Sequence, residues 1–355
     1  MEMLLFSSDR NAKAPNRQEK EIMRTRIITL TLSTALLFST AGFADNNTVE
    51  LDQSGNDNLI TVTQVGGSSV EITQNGDHNI VTIDQNAADA RVIQQDSSQA
   101  VATIIQENSH GWEDWVPLHL IQVNSTNVTA NLNFTGRNSQ LQLHQEGSNL
   151  QFEAVDNGNK FMVWAMSGGD GQFGANNSAL ITNRGWDDDG NYVTFRQEGE
   201  SNRVELTQTW YQSWLTIDQS GELNTILVQD DQFTGTTVNQ SGTSNLIDLQ
   251  MAGDFSPTIN QSGLENSIIG TVDSTMFEYP ITQAGNQNQM ELNISNSLFG
   301  TPLGNSVLVQ TGDNGTMSLT QDGIALTAAL TQLGVGNTMT IDQSGTSNHV
   351  EVTQN

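Results

Sequence analysis

The sequence predicts an all-β fold, a parallel β-solenoid with amyloid-like stacking of coils of about 22 residues and two strands in each coil. Three observations lead to this prediction. A glutamine–glycine–asparagine pattern returns at a nearly constant interval, the residues after it alternate between apolar and polar, and glycine-containing turns separate these short runs. A strand-and-turn unit that repeats in this way buries its apolar side by stacking on copies of itself.

The repeat is marked by the pattern Gln-x-Gly-x-x-Asn, which we single out at nine places. Copies between Gln197 and Gln283 begin 21 or 22 residues apart, and the copies at Gln332 and Gln343 begin 11 apart. We assign the glutamines and asparagines to amide ladders between coils and the glycines to turns. The residues assigned to this structural role are Gln53, Gly55, Asn58, Gln74, Gly76, Asn79, Gln197, Gly199, Asn202, Gln219, Gly221, Asn224, Gln240, Gly242, Asn245, Gln261, Gly263, Asn266, Gln283, Gly285, Asn288, Gln332, Gly334, Asn337, Gln343, Gly345, Asn348 and Gln354.

The residues that follow each asparagine alternate in polarity with a period of two. Asn58, Ile60, Val62 and Gln64 fall on one side, and threonines lie between them. This alternation predicts a half-buried strand. Because a buried amide is costly unless it is hydrogen-bonded, we expect each one to pair with its copy in the next coil, about 4.8 Å away. Roughly 14 coils then form a rod of about 65 Å.

The composition restricts the classes of partner and of site. The net charge is −28, with 12 Lys+Arg against 40 Asp+Glu, so we expect no binding to nucleic acid or to anionic lipid. Cysteine is absent, which excludes disulfides and thiolate metal sites. We expect no cofactor and no bound metal, since none of the five histidines has a second histidine or a carboxylate at ligand spacing.

The first part of the chain, 1–44, is predicted to be an N-terminal extension and a secretory signal peptide. A basic segment that ends at Arg26 precedes an apolar run, and Ala44 offers a cleavage site among small residues. We interpret Met23 as the true start. The apolar run is short for a membrane span, although a membrane anchor is the alternative. The mature chain, 45–355, is then secreted and needs no membrane span.

The mature chain divides into three parts by how well it keeps the repeat. Residues 45–106 and 197–355 keep it, whereas 107–196 retain only fragments of it. We interpret 107–196 as degenerate coils with longer loops, and a separately inserted domain is the alternative. Four of the six tryptophans lie there. We expect them to fill wider coils, the alternative being a patch that binds a sugar or a partner.

The repeat resembles the curlin repeat of curli subunits. Gln240, Gly242 and Asn245 match the glutamine, glycine and asparagine of that family. The resemblance implies an extracellular functional amyloid that leaves the cell through a dedicated outer-membrane pore, joins copies of itself and other curlin subunits in surface fibres, and serves biofilm matrix, adhesion and aggregation. This chain is longer than a typical curlin and lacks the family's second glycine and its alanine in many units. A major subunit, a nucleator and a larger relative therefore all remain open.

We expect no enzymatic activity, because no catalytic motif or clustered basic residues line a groove. The acidic run 187–189 suggests an exposed turn more than a calcium loop, since the closing acidic ligand is missing. We expect the final strand, 350–354, to leave backbone groups unpaired and to template the next molecule. The alternative function is a monomeric secreted β-solenoid adhesin that binds a surface or glycan through 107–196.

Overall fold

The computed structural model contains only β-strands in the part of the chain that it describes, and no helix there could cross a membrane. The described residues are 25–26, 36–40, 48–64, 69–86, 89–108, 116–136, 139–156, 162–164, 172, 174–184, 191–209, 213–230, 234–255, 258–277, 281–295, 307–322, 328–345 and 349–355. The strands are β1 Thr25–Arg26, β2 Leu36–Thr40, β3 Thr48–Ser54, β4 Leu59–Gln64, β5 Ser69–Asn75, β6 His78–Asn86, β7 Ala90–Gln95, β8 Gln99–Asn108, β9 Val116–Thr126, β10 Thr129–Gly136, β11 Ser139–Ser148, β12 Gln151–Asp156, β13 Met162–Trp164, β14 Ala179–Arg184, β15 Asn191–Thr194, β16 Val204–Thr209, β17 Ser213–Thr216, β18 Ile226–Asp230, β19 Thr234–Gly235, β20 Ile247–Phe255, β21 Ile268–Phe277, β22 Gly285–Asn286, β23 Met290–Ser295, β24 Gly312–Asp313, β25 Met317–Gln321 and β26 Met339–Gln343.

Alternate strands along the chain enter two sheets, and their neighbours within each sheet are parallel. Strands β1, β3, β5, β7, β9, β11 and β13 form one hydrogen-bonded sheet, and β15, β17 and β19 pair with one another and follow it along the stack. We call all of these strands sheet 1, together with the segments 236–240, 258–261, 281–283, 307–310 and 328–332. Sheet 2 contains β2, β4, β6, β8, β10, β12, β14, β16, β18, β20, β21, β23, β25 and β26. Parallel strands joined in this way by short turns form stacked coils, which confirms the predicted β-solenoid.

The register places equivalent residues of successive coils directly above one another. In sheet 2, Val62 pairs with Ile83 and Ile83 pairs with Ile104. All three side chains are fully buried, with 0% of their surface exposed. Their inward positions alternate with outward polar ones, as period-two patterning requires. One continuous apolar core therefore runs between the two sheets.

The region 107–196 continues the same stack. Strands β10, β12 and β14 of this region connect β8 to β16 through unbroken parallel pairing in sheet 2. The core contains an aromatic pair here: Phe152 and Phe195 stack with their ring centroids 6.0 Å apart. The tryptophan side chains of this region lie outside what the structure describes.

Sheet 1 loses regular strands toward the C-terminus. The segments 258–261 and 281–283 still alternate between buried and part-exposed residues, but they are not strands. In 258–261 the backbone enters the left-handed region, with φ of 151° at Asn260 and 64° at Gln261. Extended strands need negative φ, so 258–261 cannot form a regular ladder. Two strands per coil therefore describes the coils as far as β19.

The predicted signal segment lies mostly outside the described residues. Only 25–26 and 36–40 of 1–44 are described, and they form β1 and β2. Strand β2 pairs in parallel with β4, with Leu37 opposite Ile60. Export and cleavage after Ala44 stay predictions.

Candidate functional site: buried amide ladders

A column of glutamine side chains runs through sheet 1 of the C-terminal half. Nε2 of Gln219 donates to Oε1 of Gln240 at 2.6 Å, and Nε2 of Gln240 donates to Oε1 of Gln261 at 2.7 Å. The column continues in the same direction from Gln261 to Gln283, at 2.6 Å. Further donor–acceptor steps join Gln197 to Gln219, Gln283 to Gln310 and Gln310 to Gln332. Each of these amides therefore points its N–H toward the C-terminal end of the stack.

Each glutamine in this column also closes its own coil. The second N–H of Gln240 donates to the carbonyl of Leu246 at 2.9 Å, six residues on. The same bond joins Gln283 to the carbonyl of Gln289 at 2.6 Å. Each buried amide thus uses one N–H donor for a bond within its coil, and one N–H donor and its oxygen for bonds to the two neighbouring coils. Because a satisfied hydrogen bond contributes about 1 kcal/mol net, three per residue make each glutamine a strong local constraint.

A second column of asparagines runs parallel to the glutamines with the opposite hydrogen-bond direction. Nδ2 of Asn245 donates to Oδ1 of Asn224 at 2.8 Å, and Nδ2 of Asn266 donates to Oδ1 of Asn245 at 2.8 Å. Each also donates to a carbonyl four residues earlier, as Asn245 does to Ser241 at 2.6 Å. The column extends through Asn177, Asn202, Asn224, Asn245, Asn266 and Asn288.

The glutamine column reverses its direction in the middle of the chain. In the N-terminal half, Nε2 of Gln145 donates back to Gln122 at 2.8 Å, and Gln122 donates back to Gln94 at 2.7 Å. Gln94 donates in turn to Gln74 at 3.2 Å. The two halves therefore donate away from each other. Between them, Oε1 of Gln145 and of Gln197 has no hydrogen-bond partner among the described residues.

The first two coils hold their amides by shorter-range bonds. Nε2 of Gln53 donates to Oδ1 of Asn58 at 3.1 Å, and Nδ2 of Asn79 donates to the carbonyl of Gly76 at 3.0 Å. Asn58 and Asn79 are buried. The first coils thus place the assigned glutamine and asparagine inside the stack but do not join their asparagines to each other by a described bond.

The assigned glycines fall into two groups. Gly55 and Gly76 adopt positive φ of 88° and 106°, and a Cβ on Gly76 would lie 2.9 Å from the amide nitrogen of Gly55. A Cβ is therefore excluded at Gly76 by the neighbouring backbone, whereas at Gly55 it is disfavoured by the positive φ alone. A Cβ on Gly221 would meet nothing within 4 Å, and the positive φ falls instead on Ser220, at 138°. Gly242 and Gly285 have the same open surroundings, and a Cβ on Gly263 would lie 3.9 Å from Oδ1 of Asn286. Gly334 and Gly345 have φ of 41° and 28°, and Gly199 is half-buried.

The last coils are less enclosed. Gln332 is buried and donates to the carbonyl of Thr338 at 2.7 Å. Asn337 is half-buried and donates to the carbonyl of Asn355, and Gln343 donates to that of His349 at 3.2 Å. Gln354 is exposed. Asn348 lies outside the described residues.

Several ladder residues were missed by the sequence pattern. Gln172, Gly174 and Asn177 form a tenth copy of Gln-x-Gly-x-x-Asn, and Asn177 accepts from Asn202 at 3.0 Å. The intact pattern was the signal that could have revealed it. Gln94 and Gln310 belong to the glutamine column although their units lack the asparagine. Their spacing from neighbouring apolar residues could have identified them.

Two serines take the asparagine position in the third and fourth coils. Oγ of Ser97 donates to Oδ1 of Asn79 at 2.6 Å, and the backbone N–H of Ser97 donates to Oγ of Ser125 at 3.3 Å. Both serines are buried. A hydroxyl can replace the amide because it both donates and accepts. Nothing in the sequence alone distinguishes these two serines from ordinary turn residues.

Two ionisable groups at sheet 1, His119 and Asp89, have shifted pKa values. Burial lowers the pKa of His119, and the positive charge of Arg91 on the neighbouring strand lowers that pKa further. Asp89 and a hydrogen bond with Gln142 raise it in part. Burial raises the pKa of Asp89. Within the described residues, no three histidine, aspartate or glutamate side chains cluster as metal ligands would.

Residues 44–69 match a family model, the curlin associated repeat. The matched stretch contains β3, the turn at Gly55 and β4, which together make one complete coil. This match confirms the resemblance that the repeat suggested. No curated protein and no solved structure gives a significant match to the chain.

Proposed function

We propose that this chain, which carries the curlin associated repeat, is a curli-type structural subunit that assembles with copies of itself into extracellular fibres. The proposed fibre contributes to biofilm matrix, cell adhesion and aggregation, and the chain reaches it through an outer-membrane secretion pore. Its role is structural, without catalysis. Other curlin subunits are proposed as partners in the same fibre.

The observation that carries the proposal is the stacked amide column. A buried glutamine such as Gln240 is satisfied only when equivalent glutamines lie one coil above and one coil below, as Gln219 and Gln261 do. A second molecule stacked end to end at the same spacing of about 4.8 Å would continue this column without any new kind of contact. The hydrogen bonding inside one chain thus supplies the template for bonding between chains.

The last described coil supports growth at that end. Val350 and Val352 occupy the inward alternation of their segment, yet they expose 40% and 49% of their surface. The inward residues one coil earlier, Ala328 and Leu330, are fully buried, with 0% exposed. Covering the two valines with another coil would remove apolar surface from water, which favours association by about 25 cal/mol per Å².

A growth assay on residues 45–355 tests the proposal. We expect fibres that bind an amyloid dye and give a diffraction reflection near 4.8 Å along the fibre axis. Val352→Lys places a charge on the covered side of the last coil and should slow elongation by about tenfold or more. Thr353→Lys adds the same charge to the neighbouring outward position and should elongate like the wild type.

Two outcomes would contradict the proposal. The first is a folded wild-type chain that stays monomeric in sedimentation for days at high concentration. The second is equal elongation by the Val352→Lys and Thr353→Lys variants. Either result would favour a monomeric solenoid that binds its target by a surface of fixed size.

A further inference from the structure

Sheet 1 carries an uncharged strip on its solvent side in the C-terminal half. We define the strip as the outward residues of 237–239, 258–260, 307–309 and 329–331, together with Thr282. They are threonine, asparagine, valine and alanine, and every one is half-buried among its neighbours. The glutamine column aligns them, since Asn239, Asn260 and Thr282 each precede a ladder glutamine. The strip therefore repeats at the coil spacing of about 4.8 Å.

Two asparagines of the strip are hydrogen-bonded to each other. Nδ2 of Asn239 donates to Oδ1 of Asn260 at 2.7 Å, and Nδ2 of Asn260 also reaches the carbonyl of Thr258 at 3.3 Å. An amide that is already bonded along the strip gives up less hydration when another surface covers it. Short side chains held in this way favour close packing against a second flat surface.

Charged residues lie on the other sheet and beyond both ends of the strip. In the same coils, sheet 2 points acidic residues outward at Asp248, Glu291 and Asp342. Charge also returns at both ends of the strip. Arg196 and Asp218, 3.9 Å apart, lie two coils and one coil before it, and Glu351 lies one coil after it. In a chain with a net charge of −28, the strip is therefore a run of five coils whose described outward residues all lack charge.

We propose that this strip is the lateral interface between two copies of the chain, through which stacked fibres pair side by side. The inference rests on the fibre proposed above. Two acidic rods repel each other through most orientations, and facing strips bring together the sides that lack charge. Threonine, asparagine and valine at one period on both sides can interdigitate, with the two sheets about 10 Å apart.

The size of the strip explains why pairing should follow stacking. Five coils at about 4.8 Å and two outward columns give roughly 350 Å² from each chain. Two such strips bury roughly 700 Å², which is below the 1,200 Å² typical of stable complexes. An isolated pair of chains is thus weak, whereas a fibre presents the strip once in every subunit and sums these contacts.

Electron microscopy of fibres grown from 45–355 tests the strip. The triple variant Thr237→Glu, Thr282→Glu and Thr331→Glu adds three charges to it in alternate coils. The matched control Gln229→Glu, Thr271→Glu and Thr320→Glu adds three charges to the outward side of sheet 2 in the same three coils. We expect wild type and control to form paired or bundled fibres, and the strip variant to form single fibres, with the bundled fraction reduced about tenfold or more.

A second variant keeps the test decisive if the first folds poorly. Lysine at the same three strip positions should also give single fibres, and mixing preformed glutamate and lysine fibres should restore pairing. Circular dichroism and dye binding of each variant report folding and elongation separately from pairing. Equal bundling of strip variant and wild type would overturn the inference, as would failure of the mixture to pair.

Failure of the inference is distinguishable from failure of the proposed function. Wild-type fibres that stay single at 150 mM salt, where charge is screened within about 8 Å, would overturn the lateral interface and leave the fibre intact. Single wild-type fibres that bind a neutral polysaccharide through the strip would assign it to that ligand and overturn pairing. A wild type that forms no fibre contradicts the proposed function itself.

Discussion

Nε2 of Gln219 lies 2.6 Å from Oε1 of Gln240, one coil further along the chain, and neither side chain exposes more than 1% of its surface. This contact joins two residues that are 21 apart in sequence and that occupy the same position in their coils. A buried amide without a partner would be unfavourable, and only the stacked coils provide the partner for this hydrogen bond.

Gln240→Ala should destabilise the folded chain by about 3 kcal/mol, because it removes three hydrogen bonds and leaves a cavity. The control Gln250→Ala removes an exposed glutamine from the next coil and should cost less than about 0.5 kcal/mol. The midpoints of urea unfolding measure both. Equal midpoints for the two variants would contradict a structural role for the column.

Asn245→Asp should make stability depend on pH. The substitution keeps the oxygen that accepts from Asn266, but it sets a carboxyl oxygen against the carbonyl of Ser241 and Oδ1 of Asn224. Burial and these oxygens raise the folded-state pKa of the new carboxyl above its unfolded value of about 3.9. A raised acid pKa gives stability that is present below the unfolded pKa and is lost as pH rises through the folded one.

Urea midpoints at pH 4 and pH 7 check this prediction for Asn245→Asp. The loss of stability relative to wild type should be clearly larger at pH 7. Asn293→Asp changes an exposed asparagine of β23 and should show little difference between the two conditions. A variant at Asn245 that loses as much stability at pH 4 as at pH 7 would rule out an uncompensated buried charge as the cause.

Gly76→Ala and Gly221→Ala should differ strongly, although both occupy the same place in the repeat. Alanine at position 76 must keep φ of 106° and bring its Cβ within 2.9 Å of the backbone of Gly55. Alanine at position 221 meets nothing within 4 Å. We expect a loss of about 1–3 kcal/mol at Gly76 and a change within about 0.5 kcal/mol at Gly221. Thermal unfolding of the two variants tests this, and equal losses would be inconsistent with it.

Arg91→Gln should raise the pKa of His119. The two residues pair across β7 and β9, and the charge of Arg91 is the second cause of the lowered pKa, after burial. A lowered histidine pKa gives stability that is present above the unfolded value of about 6.5 and is lost as pH falls through the folded value. Removing the arginine charge should therefore reduce the loss of stability on mild acidification.

An NMR titration of the His119 ring measures the effect of Arg91→Gln directly. Arg184→Gln, which removes an exposed arginine from β14 in sheet 2, is the control and should leave the titration unchanged. A His119 pKa in Arg91→Gln that equals or falls below the wild-type value would show that the arginine charge does not act on this histidine.

The sequence predicts most of the stack because one physical rule links pattern to position. The alternation from Asn202 to Gln208 anticipates β16, which runs over Val204–Thr209. The repeat interval predicts which residues align, because a coil must return to the same place before the next copy begins. The pattern does not identify the ladder residues that depart from it, since Gln94 is followed by no glycine and Ser97 replaces an asparagine.

Other features differ between arrangements that fit the sequence pattern equally well. An amide column satisfies the same number of hydrogen bonds in either direction, so its reversal between Gln145 and Gln197 has no counterpart in the sequence. The same applies to the turns, where the positive φ falls on Gly76 in one coil and on Ser220 in another. The loss of regular strands from sheet 1 after β19 follows from such backbone conformations. It could not be predicted from the alternation of apolar and polar residues alone.

The opposite directions of the two amide columns have an electrostatic consequence. In the C-terminal half the glutamine N–H groups point toward one end of the rod, while those of the asparagines point toward the other. The dipole that each coil adds through Gln240 is therefore opposed by the one added through Asn245. An α-helix accumulates partial charge at its ends because all its dipoles agree. Here the side-chain dipoles largely cancel coil by coil, so their contribution does not build an opposing field as the stack lengthens.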